Sequence, residues 1–188
     1  YELPATQPAE RPPNPFGNRT LQRKDAVPGY IELSDGTLAV GRIYTTRDKP
    51  LRLYDRDTNL FRDIPLDVIA SIEAHVEWER MEDDWRWKEQ GSDVKVFTGH
   101  KYPARKTYYT VTLINGIKLT GNIAQPIYVR RGQQVRRFIL HKRAKGELDT
   151  SLKDLVYVKR IVFSRREMLR ALELPPSRRP TPAGSQRR

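Results

Sequence analysis

Residues Val111–Ile123 read V-T-L-I-N-G-I-K-L-T-G-N-I, and eighty positions earlier Ile31–Ile43 read I-E-L-S-D-G-T-L-A-V-G-R-I. The two stretches agree in chemistry along their length. Ile31 and Leu33 answer Val111 and Leu113, Asp35-Gly36 answers Asn115-Gly116, and Gly41-Arg42-Ile43 answers Gly121-Asn122-Ile123. Apolar residues at every second position mark strands with one face on a core. Asp-Gly and Asn-Gly between such strands predict tight type I′ hairpins, in which both central residues take φ > 0. Gly41 and Gly121, inside otherwise good strands, predict bulges or sharp bends where a sheet curls. The chain reads as a tandem duplication of one curled β unit.

Working outward, each copy supplies further short strands. In residues 29–76 the first hairpin is followed by Leu51–Tyr54, Asn59–Ile64 and Leu66–Ile72. In residues 107–163 the second is followed by Ile127–Arg131, Val135–Lys142 and Leu152–Phe163, with a turn at Gly132-Gln133-Gln134 and a loop over Ala144–Asp149. The expected fold is all-β with minor α: two tandem, small, five-stranded barrels of the SH3-like kind, each closing its own core. The last strand is apolar on both faces, which predicts packing on something besides its own barrel.

Residues 77–106 form an acidic, Trp-rich insert between the two units. Trp78, Met81 and Trp85 stand at helical spacing, yet alternation from Ile72 to Trp78 continues the preceding strand. The reading is a strand to about residue 79, then one or two helical turns. Trp78, Trp85 and Trp87 are either a surface for a partner or part of a cap over the open end of a barrel. Residues 1–28 are Pro-rich and predict an extended arm without a core, with a glycosylation-type triplet at Asn18-Arg19-Thr20. Ser164-Arg165-Arg166-Glu167 is a capping box opening a helix over residues 164–174, stopped by Pro175-Pro176. A Pro- and Arg-rich tail occupies residues 175–188.

The net charge of +12 is unevenly placed. Residues 1–93 carry 13 positive and 18 negative groups, a balance of −5, and residues 94–188 carry 22 and 5, a balance of +17. Such asymmetry speaks to partners and not to fold. Without cysteine the chain has no disulfide, no thiol nucleophile and no thiolate metal site. No apolar run approaches the ~18 residues of a membrane span. The sequence begins at Tyr1 with a Pro-containing spacer, which favours export to the periplasm or cell envelope over a cytoplasmic location.

Leu113-Ile114-Asn115-Gly116-Ile117-Lys118-Leu119-Thr120-Gly121-Asn122-Ile123 resembles the first conserved motif of the Sm-like superfamily, most closely its bacterial RNA-chaperone branch. Leu155-Val156-Tyr157 with Ile161 is similar to that branch's second motif. The resemblance covers residues 109–163, and more loosely 29–73. It implies a five-stranded, highly bent barrel, a ring-forming habit through strand edges and, in many members, RNA binding. The chaperone's basic pair directly after the tyrosine is not reproduced: Val158 follows Tyr157, and Lys159-Arg160 come one place later. The resemblance therefore carries the fold and not the RNA pocket.

Chemistry-bearing patterns are sparse. No phosphate loop, nucleophile elbow or metal-ligand spacing occurs, and His75, His100 and His141 are scattered. Glu82-Asp83-Asp84 reads as a water-facing run. No enzyme activity, cofactor or metal is expected. The strongest functional signal is basic: Arg130, Arg131, Arg136 and Arg137 on neighbouring strands, followed by Lys142, Arg143 and Lys145. With Tyr108, Tyr109 and Tyr128 as stacking faces they form a candidate anion- or nucleic-acid-binding group. Alternation would instead send adjacent arginines to opposite sides. The first expectation is thus a non-enzymatic interaction or structural module, a subunit or adaptor in a larger assembly that joins protein partners or copies of itself through strand edges, arms and the acidic/basic charge asymmetry of its halves. The alternatives are an RNA-binding Sm-like protein and a binder of anionic envelope polymers.

Overall fold

A computed structural model describes residues 23–47, 49–91 and 93–173. The glycosylation-type triplet, the tail over 175–188 and most of the expected arm lie outside those residues. The arm ends earlier than expected, because the first strand already starts at Val27.

Among the described residues the chain forms eleven strands and one α-helix. The strands are β1 (Val27–Leu33), β2 (Leu38–Tyr44), β3 (Leu51–Asp55), β4 (Phe61–Ile64), β5 (Ile69–Trp87) and β6 (Lys95–Leu113). They continue with β7 (Lys118–Ile123), β8 (Gln125–Arg131), β9 (Gln134–Leu140), β10 (Arg143–Lys145) and β11 (Val158–Val162). The helix α1 spans Arg165–Glu173. All strands join one antiparallel sheet in the order β4-β3-β7-β6-β5-β11-β1-β2-β8-β9, with β10 on β6. The all-β class expected from the sequence is what the chain adopts.

The strands do not sort by half. If each copy's strands are numbered one to five, copy one is β1–β5 and copy two is β6, β7, β8, β9 and β11. The sheet order then reads the same from either end: strands four and three of one copy, two and one of the other, then five of the first. Each copy has given its third and fourth strands to the other copy's first hairpin. A local cause is visible at the second copy's junction; the first copy's, over residues 45–50, is longer. Only Ala124 separates β7 from β8, too short to reverse the chain into a hairpin, which needs two residues. Strand β8 therefore runs on to β2. Gln125 fastens this crossing, accepting from Arg52 N at 2.9 Å and donating to Pro50 O at 2.9 Å. The axis of the repeat passes through β5 and β11, where Ile72 pairs with Ile161. Details repeat across it: Ile114 N donates to Val68 O at 3.0 Å, and Ser34 N to Tyr157 O at 2.9 Å.

Both hairpin turns have the same geometry, and it is not type I′. Only the glycines take positive φ, +82° at Gly36 and +86° at Gly116; Asp35 and Asn115 do not. Gly36 N donates to Leu33 O at 3.0 Å and Leu33 N to Thr37 O at 2.9 Å, with Gly116, Leu113 and Ile117 matching them at 2.9 and 2.8 Å. This is a three-residue loop closed by a left-handed glycine. Asp35 and Asn115 accept from the backbone two residues on, at 2.8 and 3.1 Å, a side-chain turn that competes with φ > 0 at the acid or amide itself.

One buried cluster spans both halves: Ile31, Ile43, Leu51, Leu53, Ile72 and Val111 lie in it with Ile123, Ile127, Val129 and Ile161. The separate cores expected for 29–76 and 107–163 are merged, because the exchanged strands carry each copy's apolar face into the other's. Helix α1 sits on the opposite face of β1–β2, where Met168, Ala171 and Leu172 meet Tyr30, Leu38 and Val40. Ser164 Oγ caps it, accepting from Glu167 N at 3.3 Å. Two further expectations are corrected. The helical turns after residue 79 are absent, since β5 runs straight to Trp87. The long last strand is divided: Leu152–Asp154 is a 3-10 turn capped by Ser151 and Asp154, and only Val158–Val162 is strand.

Candidate functional site

Strands β5 and β6 are much longer than their counterparts, and their distal parts leave the sheet as a two-stranded ribbon. Its ladder sets the acidic run of the first half beside the cations of the second. Glu77 binds Arg56 at 2.7 Å and Lys106 at 2.8 Å, Glu79 binds Arg105 at 2.9 Å, and Asp83 binds Lys101 at 3.5 Å. Glu82 pairs with Arg80 at 2.9 Å and also with Arg143, while Asp84 meets Lys145 at 3.5 Å. Hydrogen bonds from Lys106 and then Arg56 hold the Glu77 carboxyl below the usual range. Burial pushes the Glu82 carboxyl up, but bonds from Arg80, Arg143 and Tyr102 outweigh it and leave it lowered. Five acidic residues of the first half, Glu77, Glu79, Glu82, Asp83 and Asp84, are thus paired with cations of the second within one molecule.

The three tryptophans separate into two groups. Trp78 lies under two guanidinium groups, Arg80 at 4.4 Å and Arg143 at 5.6 Å from its ring. Trp85 and Trp87 meet edge-to-face at 4.8 Å, with Lys95 Nζ 4.2 Å from the first ring and 5.8 Å from the second. Phe97 pairs across from Trp85. Trp87 is 49% exposed and Phe97 64%, so the far end of the ribbon carries an open aromatic patch around one cation. Phe97 was missed in the sequence; its signal was the alternation Lys95-Val96-Phe97 facing Trp85-Arg86-Trp87.

The seven cations do not form one cluster. On β8, Ile127 and Val129 point into the core, and Tyr128 and Arg130 alternate to the other face. Across the ladder Arg137 stands opposite Tyr128, and Arg136 opposite Val129. Arg130 and Arg137 therefore share the outer face with Arg42, which pairs with Arg130, while Arg131 and Arg136 share the inner face. Arg143 and Lys145 are on β10, engaged with Glu82 and Asp84; Lys142 accepts from Thr107 N through its carbonyl at 3.0 Å. The tyrosines part as well. Tyr128 stacks on Tyr44 at 5.4 Å, and Tyr108 stacks on His75 at 4.9 Å beneath Arg56. Tyr109 is in the core, its hydroxyl bonded to His141 O at 3.1 Å and pushed by burial to about 12.

The histidines are apart. His75 meets Thr110 Oγ1 at 3.0 Å and His100 meets Asp149 at 2.7 Å, while burial pushes the exposed-edge His141 imidazole down. Among the described residues no three His, Asp or Glu side chains gather in a way that could hold a metal, and no helix is long and apolar enough to cross a membrane. An apolar recess of about 220 Å³ opens between Leu33, Tyr109, Phe138, Val156 and Tyr157. No family model, curated protein or solved structure matches the chain.

Proposed function

We propose that the chain is a non-enzymatic interaction module, a subunit or adaptor that holds another protein through the end of its β5–β6 ribbon. The observation that carries this reading is the placement of Trp85 and Trp87 around Lys95 at the far end of the ribbon, with Phe97 paired across from Trp85 and with Trp87 and Phe97 both largely open to solvent. A two-stranded ribbon has little stability of its own in water, and clustered exposed aromatics are the usual anchors of protein interfaces. The Sm-like resemblance supports a scaffold that works by contact: each half of the sheet collects strands five, one, two, three and four of a duplicated unit, the content of a small bent barrel. The internal ion pairs of the ribbon argue against charge asymmetry as the main adhesive between copies.

A photo-crosslinking phenylalanine analogue in place of Trp87, expressed in the native host, tests this. A discrete adduct is expected from position 87 and none from the same analogue at exposed Lys153; an adduct heavier by 21.9 kDa identifies a second copy as the partner. Equal adducts from both positions, or none from position 87, would sink the reading.

A further inference from the structure

The internal two-fold lets each side chain be compared with its counterpart. Asp55 lies opposite Gly121, and Arg62 opposite Leu53. On the other half Gly41 is the counterpart of Gly121 and Val129 that of Leu53. Val129 pairs with Arg136, and Arg131, one step beyond the Arg42–Arg130 pair, falls beside Gly41. Arg62 thus corresponds to Arg136, and Asp55 to Arg131. In the first pair the Asp55 carboxylate, 3% exposed, takes Arg62 Nε at 2.5 Å and the Asp57 N–H at 2.9 Å. The Arg62 bond, then the backbone bond, holds that carboxyl below its ordinary range. In the second pair the carboxylate is replaced by another guanidinium. Arg136 Nη1 is buried there without a hydrogen-bond partner, and its side chain lies 5.1 Å from the Phe138 ring. Burial lowers its basicity, opposed through space by Asp35, whose Oδ1 is already engaged by Thr37 N. Among the described residues Arg136 has no ion-pair partner.

We propose that Arg136 and Arg131 receive a carboxylate from another polypeptide, an acidic side chain or a C-terminus, in the place that Asp55 fills internally on the other half. A guanidinium fork matches a carboxylate with two parallel bonds, and a buried donor left unmet is a cost that a ligand removes on binding. The site is on the inner face of β8–β9 and does not rest on the ribbon reading; Trp87 variants should leave it intact.

The test is thermal unfolding of the full chain with acetyl-(Gly-Glu)3-amide, its Gln analogue, or inorganic phosphate, at matched ionic strength. The acidic peptide should raise the wild-type Tm by about 2–4 °C as the site fills, and the Gln peptide should not. Arg131→Asp, which installs the other half's ion pair, should abolish the response while unfolding no lower than wild type without peptide. Arg136→Gln gives a second reading if that variant folds poorly, and it too should lose the response. The proposal is overturned by an unchanged response in both variants, by no response in wild type, or by a response to phosphate and not to the acidic peptide.

Discussion

Gly41 and Gly121 show how one missing side chain can set a topology. A Cβ on Gly121 would lie 2.1 Å from Tyr54 O, and one on Gly41 would lie 2.2 Å from Arg130 O. Both obstacles are main-chain carbonyls of the exchanged third strands, so no rotamer change can relieve them. Gly121→Ala should therefore cost about 3 kcal/mol or more, and Gly41→Ala a similar amount. Gly116→Ala provides the contrast. Its Cβ meets nothing within 4 Å, and the penalty is only that of a left-handed residue, about 1 kcal/mol. Urea unfolding of the three variants gives the order, and equal costs at 116 and 121 would contradict the close crossing. Alternation and spacing made these glycines legible as special. They did not say that the partner strand comes from the other half, because a glycine reveals that something approaches without naming what. Asp55 was illegible for a related reason: its role appears only once the fold sets it beside Arg62 and its counterpart beside Arg136.

Within the β5–β6 ribbon, the misread helical turns have a mechanical origin. Register shifts fall between Val76 and Trp78 and between Asp83 and Trp85. Each extra residue breaks the period of two, so the alternation that marks a strand is interrupted on either side of Trp78–Asp83. Between Trp78 and Met81 the ladder is unshifted, so those two side chains alternate to opposite faces and their helical spacing has no counterpart in the structure. Pairing support also declines along the same strands. Near the axis β5 is flanked by β6 and β11, further out β6 still carries β10, and beyond Lys101 the two strands pair only with each other, their outside contacts being the side-chain pairs His100–Asp149 and Asp84–Lys145. Lys88 N to Val94 O, at 2.9 Å, closes the end. Amide exchange should follow this gradient, because opening free energy tracks buried contacts and not strand length. Amides of Trp85, Trp87 and Phe97 should exchange by local opening, while those of Ile72 and Val111 wait for global unfolding. Hydrogen-exchange mass spectrometry of peptides along β5 decides it; uniform protection from Ile69 to Trp87 would mean the ribbon is held by more than its own ladder.

Across the whole molecule, duplication and independence are separate properties, and the chain has the first without the second. The repeat at an offset of eighty residues was readable because hairpin chemistry is local. The exchange was not, because pairing of β2 with β8 and β3 with β7 joins residues distant in sequence, and only the crossing of β8 has a local mark, the single-residue junction at Ala124. Its consequence is that neither half owns a complete core. Residues 23–89 alone would expose the apolar faces of β2 and β3, since the strands that cover them lie in residues 94–173, and the reverse holds for the other fragment. Expressed separately, each should show poorly dispersed amide NMR spectra. Mixed, they should recover a folded one-to-one complex, and the intact chain cleaved at an engineered protease site beside Gly91 should stay associated and unfold in one transition. Two tandem barrels would behave oppositely, each fragment folding alone with no gain on mixing. Exposed Gly91, in the loop at the ribbon's end, makes the cut without touching the exchanged strands, so loss of association after cleavage could be assigned only to weak pairing between the halves.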